Sequence, residues 1–253
     1  MKVAAIQHDI CWEQRDQTLA RLEPMVATAA AGQARLVVLT EMFAVGFSMA
    51  TDRVAEPPDG PTTAWLVDQA ERHGIWICGS LPELAPGADR PANQLVLAGP
   101  GGAVHRYAKI HPFSYSGEEK RYRAGTERVT VDIDGLRLSL FVCYDLRFAD
   151  EFWSLAAGTD LYVVPANWPA SRAHHWRSLL VARAIENQSY VVGVNRVGHG
   201  GKLDYHGDSA IVDPMGEVLA TAAGIETVLL ADVDASVVRA TRERFPFMAD
   251  RRG

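Results

Sequence analysis

One run of residues sets the terms for the fold. Leu136-Arg137-Leu138-Ser139-Leu140-Phe141-Val142 first alternates apolar with polar and then turns continuously apolar, as a strand does when both of its faces become buried. The polar residues after it break the run. Glu151-Phe152-Trp153-Ser154-Leu155-Ala156-Ala157, with Gly158 behind it, reads as a short helix and its stop. Cys143 therefore stands on a strand-to-helix turn, where a backbone N–H and the positive end of a helix would favour a thiolate. Read by itself, it is more simply a buried core cysteine.

The rest of the chain supplies layers for that strand. Lys2–Gln7 reads as a strand, and Gln17–Ala31 as a helix stopped by Gly32, with Pro24 placed to kink it. Leu36–Leu39 is a short buried strand that delivers Thr40-Glu41 at its end. Trp65–His73 is a helix closed by Gly74, and it leads into the strand Ile75–Gly79. A Pro/Gly-containing loop then spans Pro82–Pro91. Beyond it the pattern changes to hairpins, with Gln94–Ala98 turning into Ala103–Tyr107 and Val129–Ile133 turning through Asp134-Gly135 into the opening strand. Between them Lys109–Thr126 is too long to be mere connection. Strand Leu161–Val164, helix Ala173–Asn187 and strand Tyr190–Asn195 follow. Strands over Ala210–Val212, Glu217–Leu219 and Thr227–Ala231 come next, and a last helix begins near Asp234. About a dozen strands would strain one open sheet. Two sheets packed face to face with helices outside, a four-layer αββα sandwich of the α/β class, accommodate them, and nothing marks a domain boundary within 1–253.

Charge and cysteine content narrow the function. With 25 Lys+Arg against 31 Asp+Glu the net charge is −6, which argues against general binding of nucleic acid or anionic membranes. Cys11, Cys78 and Cys143 are an odd number at wide spacing, unlike a disulfide framework or a CxxC metal site, and a reducing cytoplasm suits them. Gln7, His8 and Asp9 interrupt the first apolar residues too early for a signal peptide, and no later run approaches membrane-spanning length.

Glu41, Lys109 and Cys143 each stand where a strand has just ended, the place where sheet-based folds gather active sites. A thiol of pKa about 8.5 needs a base at neutral pH. Glu41 can serve if burial raises its pKa, and can then protonate a leaving amine. Lys109 offers fixed positive charge for an oxyanion, and the N–H of Tyr144 a second donor. Sequence spacing leaves open whether the three meet.

Three segments, in order, resemble the nitrilase (carbon–nitrogen hydrolase) superfamily: Leu39-Thr40-Glu41-Met42-Phe43, Tyr107-Ala108-Lys109-Ile110-His111-Pro112-Phe113 and Val142-Cys143-Tyr144-Asp145-Leu146-Arg147-Phe148. Members commonly carry Pro before the glutamate, where this chain has Thr40. The resemblance implies the αββα sandwich, dimerised further, with Glu41 as base and acid, Lys109 as oxyanion stabiliser and Cys143 as nucleophile. It also implies a second glutamate in the long loop. Glu118 matches it by its place before Tyr122-Arg123-Ala124-Gly125, with Glu119 as the fallback. Ala166-Asn167-Trp168-Pro169-Ala170-Ser171-Arg172 and Ala182-Arg183-Ala184-Ile185-Glu186-Asn187-Gln188 look most like the ω-amidase-like branch, which hydrolyses terminal amides of small dicarboxylic monoamides such as 2-oxoglutaramate. An anionic substrate needs a cationic clamp, for which Arg172 and Arg147 are candidates, Arg147 more readily as a structural ion-pair partner. Trp168, Phe43, Phe113 and Tyr115 are candidates for the pocket wall. No metal or organic cofactor is required.

Other readings remain. His174-His175, His199 and His206 offer metal ligands, but adjacent histidines point different ways on a helix and no HExxH spacing is present. The same three residues would also serve N-carbamoyl amine, N-carbamoyl amino-acid or aliphatic amide hydrolysis. A binding or scaffold protein on this fold has no reason to keep all three.

Overall fold

In the computed structural model, which describes residues 1–251, the elements run in a continuous order. The first part holds β1 (Lys2–Gln7), α1 (Arg15–Ala31), β2 (Leu36–Val38), α2 (Thr51–Val54), α3 (Pro61–His73), β3 (Trp76–Glu83), β4 (Ala92–Gly99) and β5 (Ala103–Ala108). Then come α4 (Glu118–Arg121), β6 (Thr130–Ile133), β7 (Leu136–Leu140), α5 (Ala149–Leu155), β8 (Leu161–Ala166), α6 (Ala173–Asn187) and β9 (Tyr190–Asn195). The last part holds β10 (Val197–Gly200), β11 (Leu203–Val212), β12 (Val218–Ala223), β13 (Thr227–Asp232) and α7 (Ala235–Arg244).

The strands form two sheets. One has six strands in the order β13-β1-β2-β3-β4-β5; the other has seven, ordered β10-β11-β9-β8-β7-β6 with β12 paired to β11. Strand alternation divides their side chains between two cores. Val3 and Ala5 of β1, Leu36 and Val38 of β2 and Leu95 and Leu97 of β4 face the second sheet, packing with Leu138, Leu140, Val163 and Val192. Their neighbours Ala4, Ile6, Val37, Ile77 and Val96 face outward against Leu22 and Val26 of α1 and Leu66 and Ala70 of α3. Trp176, Leu180 and Ala184 of α6 and Phe152 of α5 cover the far face of the second sheet. This is the αββα sandwich.

Several boundaries move for local reasons. α3 begins at Pro61, whose fixed φ suits the first helical position, and ends where Gly74 turns left-handed at φ 64. α1 runs through Pro24 as one helix, the Pro24 carbonyl accepting from the Thr28 hydroxyl at 2.8 Å. β3 continues through Pro82, which the sequence assigns to a loop. β2 pairs with it only as far as Cys78, so the missing Pro82 N–H faces no strand on that side. β10 carries two glycines and a histidine in four residues and gives no apolar signal; its pairing to β11 reveals it. Among the described residues no helix is long and apolar enough to cross a membrane.

Candidate active site

Strand ends deliver the polar residues. Two residues past β2 the chain turns sharply: Leu39 N donates to Cys78 O at 2.7 Å, Phe43 N to Ser80 O at 3.1 Å, and Met42 takes φ 41. Lys109, the first residue after β5, is fixed by its N–H on Asn93 O at 3.0 Å. Cys143 follows the strand pairing of Phe141 N with Val163 O at 3.0 Å and itself adopts φ 48. Left-handed backbone at non-glycine residues costs on the order of 1–3 kcal/mol and persists only where surroundings enforce it. Asp145 enforces it here. Its carboxylate accepts from Val142 N at 2.9 Å, Tyr107 Oη at 2.8 Å and His111 N at 2.9 Å, tying the Cys143 turn to the segment around Lys109.

Burial lifts the Asp145 carboxyl from its ordinary value to about 6, against Lys109 and the three donors, which pull it down. The folded protein thus binds this proton more tightly than the unfolded chain. The stability the group contributes is complete below its unfolded value near 4 and is lost as pH rises through about 6. The unfolding free energy of wild type minus that of Asp145→Asn is expected to fall by on the order of 3 kcal/mol between pH 4 and pH 7. Denaturant titrations across that range check it, and a rise would contradict it.

The expected residues meet in a buried cluster. Lys109 Nζ lies 2.9 Å from Glu41 Oε1 and 2.9 Å from Glu118 Oε2, and all three side chains are essentially without exposure. The ion pair goes to Glu118 and not to Glu119, whose carbonyl accepts from Arg90 instead. Asn93 Nδ2 bridges the two carboxylates at 2.8 and 3.0 Å, and Asn167 N donates to Glu41 Oε2 at 2.8 Å. Burial alone would pull Lys109 down, but Glu118 and Glu41 outweigh it and hold the ammonium charged.

The thiol behaves oppositely to what its turn suggests. Burial first, then the Glu41 charge, pushes Cys143 well above the ordinary thiol range, while Lys109 and the Asn167 N–H only partly oppose this. Two carboxylates against one ammonium leave the cluster negative, which disfavours a thiolate beside it. A short 3₁₀ turn over Cys143–Arg147, not a full helix, follows the cysteine, so little helix dipole is available to offset that. The resting group is a thiol, and an attack by sulfur must be coupled to proton removal.

Cys143 and Glu41 open onto a cavity of about 610 Å³. Phe113, Tyr144, Trp168 and Arg172 line it, as does Arg147. Among the described residues no acid pairs with Arg147. Its guanidinium lies 4.7 Å from the Trp168 ring centroid and its Nη2 meets His175 Nδ1 at 3.2 Å. Arg172 stands 5.5 Å from the Phe113 ring. Two expected wall residues lie elsewhere. The turn at Met42 sends Phe43 into the core between the first sheet and its helices, 5.9 Å from Trp65. Tyr115, on a 3₁₀ turn at Ser114–Ser116, is 87% exposed and packs its ring on Phe113 from outside. His174 and His175 lie apart from His199, which pairs with Asp204 on the β10–β11 hairpin.

Sequence reasoning overlooked Asn93, Asn167 and Asp145 as site residues. Asn167 follows β8 immediately, the same strand-end signal that marks Glu41 and Lys109. Asn93 opens β4 beside the end of β5, a placement that needs strand register to be seen. Trp12, Lys202 and Tyr205 also line the cavity and come from segments distant in sequence. Among the described residues the ensemble offers a thiol, an adjacent carboxylate and a buried ammonium, the parts needed for coupled proton removal, nucleophilic attack and oxyanion stabilisation.

Comparison with known proteins finds relatives along nearly the whole chain. A family model described as carbon–nitrogen hydrolase matches residues 2–243. The chain is 37% identical to the omega-amidase YafV of Escherichia coli K12, over 99% of this chain and 96% of that protein. It is 36% identical to a 2-oxoglutaramate amidase of Paenarthrobacter nicotinovorans, over 100% of this chain and 90% of the relative. Among solved structures, XC1258 of Xanthomonas campestris, a CN-hydrolase superfamily protein with an arsenic adduct in its active site, superposes with a TM-score of 0.95 at 37% identity. The match covers 100% of this chain and 97% of that one.

Proposed function

The chain belongs to the carbon–nitrogen hydrolase family and is an ω-amidase-like amidase, and from that premise we propose that it hydrolyses the terminal amide of a small carboxylated substrate, of the 2-oxoglutaramate type, through a thioester on Cys143. The observation that carries this is the pairing of a buried Glu41–Lys109–Glu118 cluster beside the thiol with two arginines, free of acidic partners among the described residues, on the wall of the same cavity.

Glu41 takes the thiol proton as sulfur attacks the amide carbon, a coupling favoured because the free thiolate is disfavoured. The oxyanion that forms is stabilised by the Lys109 ammonium and the N–H of Tyr144. Collapse breaks the C–N bond while Glu41 returns the proton to nitrogen, releasing ammonia and leaving the acyl thioester. Water, deprotonated by Glu41, attacks the thioester; its collapse releases the acid and restores the thiol. Glu118, itself held by Asn93 Nδ2, keeps the Lys109 ammonium in place, so that its charge is already oriented when the oxyanion appears.

Arg172 and Arg147 are assigned to the substrate carboxylate, each lying within cation–π distance of an aromatic ring of the cavity wall. Arg172→Ala is expected to raise KM for 2-oxoglutaramate or succinamate by about 10–100-fold, the worth of a charge-assisted hydrogen bond. Turnover of an uncharged aliphatic amide should change less than about 2-fold. Ammonia release from a panel of carboxylated, neutral and N-carbamoyl substrates tests both statements, and equal losses on charged and neutral amides would remove the clamp.

A cytoplasmic location belongs to the same reading, supported by three free cysteines, and fractionation that places the protein outside the cytoplasm would remove it. So does a homodimer, for which exposed Val218 and Leu219 on β12 and Ile185 on α6 offer apolar surface. Light scattering that returns the monomer mass at micromolar concentration would exclude the dimer.

A further inference from the structure

Thr40 stands where the family commonly has proline, and its hydroxyl has a partner. Thr40 is wholly buried and His8 is 1% exposed, with Thr40 Oγ1 3.0 Å from His8 Nε2. The other ring nitrogen, Nδ1, lies 3.1 Å from the Asp9 carbonyl. A carbonyl only accepts, so Nδ1 carries the proton, Nε2 accepts, and the Thr40 hydroxyl donates. Burial drives the imidazole down to about 3, so the ring remains neutral at working pH and this direction of donation persists.

The bond spans two strands that bear on the site. β1 and β2 are parallel neighbours, with Val3 opposite Leu36 and Ala5 opposite Val38, so His8 and Thr40 emerge from the same sheet end. On its β3 flank the Glu41 turn is secured by Met42 N on Ser80 Oγ at 2.8 Å, and from the second sheet by Asn167 Nδ2 on the Glu41 carbonyl at 2.5 Å. The His8–Thr40 bond is the tie on the β1 flank of a turn strained at Met42. His8 is itself anchored, its carbonyl accepting from Val197 N of the second sheet at 3.1 Å.

We propose that Thr40, acting through His8, is a positioning residue that holds the Glu41 carboxylate in line with the Cys143 thiol. The hydrogen bond does in this chain what the fixed φ of proline would otherwise do at that position. This rests on Glu41 being the base, but not on the identity of the substrate.

Thr40→Val keeps the side-chain shape and leaves His8 Nε2 buried without a donor. Its kcat is expected to fall about 10-fold with KM within about 2-fold of wild type. The rate of Cys143 alkylation by iodoacetamide at neutral pH should fall by the same factor, since it needs only the base and the thiol. Thr40→Ser restores both to within about 2-fold. In a His8→Phe background, itself impaired, adding Thr40→Val changes neither rate by more than about 2-fold. That last comparison stands even if Thr40→Val alone does not fold.

Wild-type kcat and alkylation in Thr40→Val would overturn the proposal. So would equal impairment of the Ser and Val variants, which would assign the effect to packing, or a further large loss in the His8→Phe background. Alkylation consumes no amide. A wrong substrate class would therefore show as poor turnover by wild type with the alkylation pattern intact, whereas a failed positioning role would show in the alkylation rates themselves.

Discussion

Cys143→Ala is expected to abolish amide hydrolysis, by more than about 10⁴-fold in kcat, while leaving the protein folded. The two halves of that expectation have separate causes. Activity goes because sulfur is the atom that carries the acyl group, and neither Glu41 nor Lys109 can take its place. Stability remains because the charge pairing does not run through the thiol: Lys109 keeps its contacts to Glu41 and Glu118, and Asp145 keeps its three donors. Ammonia release measured beside thermal denaturation separates the two halves. A variant that is inactive because it has unfolded would count for nothing, so a melting temperature within a few degrees of wild type is part of the expected result.

Lys109→Met should fail in the other way, losing both activity and stability. Two carboxylates with no exposure share one ammonium. Removing the cation leaves buried charge without a counterion, at a cost of about 3–5 kcal/mol. For a chain of this size that corresponds to a melting temperature lower by roughly 6–20 °C. Loss of the oxyanion partner should cost a further factor of about 10²–10³ in kcat for whatever fraction stays folded. Denaturant titration and single-turnover rates measure the two independently. A Lys109→Met protein of wild-type stability would mean that the cluster is not charged as drawn, and one of wild-type kcat would mean that the oxyanion is held elsewhere.

The contrast between these variants shows which parts of the site were legible in the sequence. Glu41 and Cys143 each follow a strongly apolar strand, so their positions announce themselves in one dimension, whereas Lys109 follows the mixed strand Ala103–Ala108. Helix α6, Ala173–Asn187, and strand β9, Tyr190–Asn195, are read to the residue because apolar periodicity and a polar stop coincide there. Asn93 is different: its role depends on which strands are neighbours, and only the pairing of β4 with β5 brings it to both carboxylates. Phe43 and Tyr115 fall outside the cavity for a related reason: a backbone turn at Met42 sends the Phe43 ring into the core, and a 3₁₀ turn at Ser114–Ser116 leaves Tyr115 exposed. At Cys143 a turn before a helix would favour a thiolate, but burial and the neighbouring Glu41 dominate and favour the thiol. Thr40 looked like a simple departure from a motif; the buried His8 that it engages lies thirty-two positions earlier in the chain.

The most direct test is the intact mass of the enzyme, acid-quenched during turnover of 2-oxoglutaramate or succinamate. The expected result is an added mass equal to the substrate less ammonia, mapped by peptide analysis to Cys143 and absent from Cys143→Ala. Ammonia release by Cys143→Ala at the wild-type rate would contradict the thioester route.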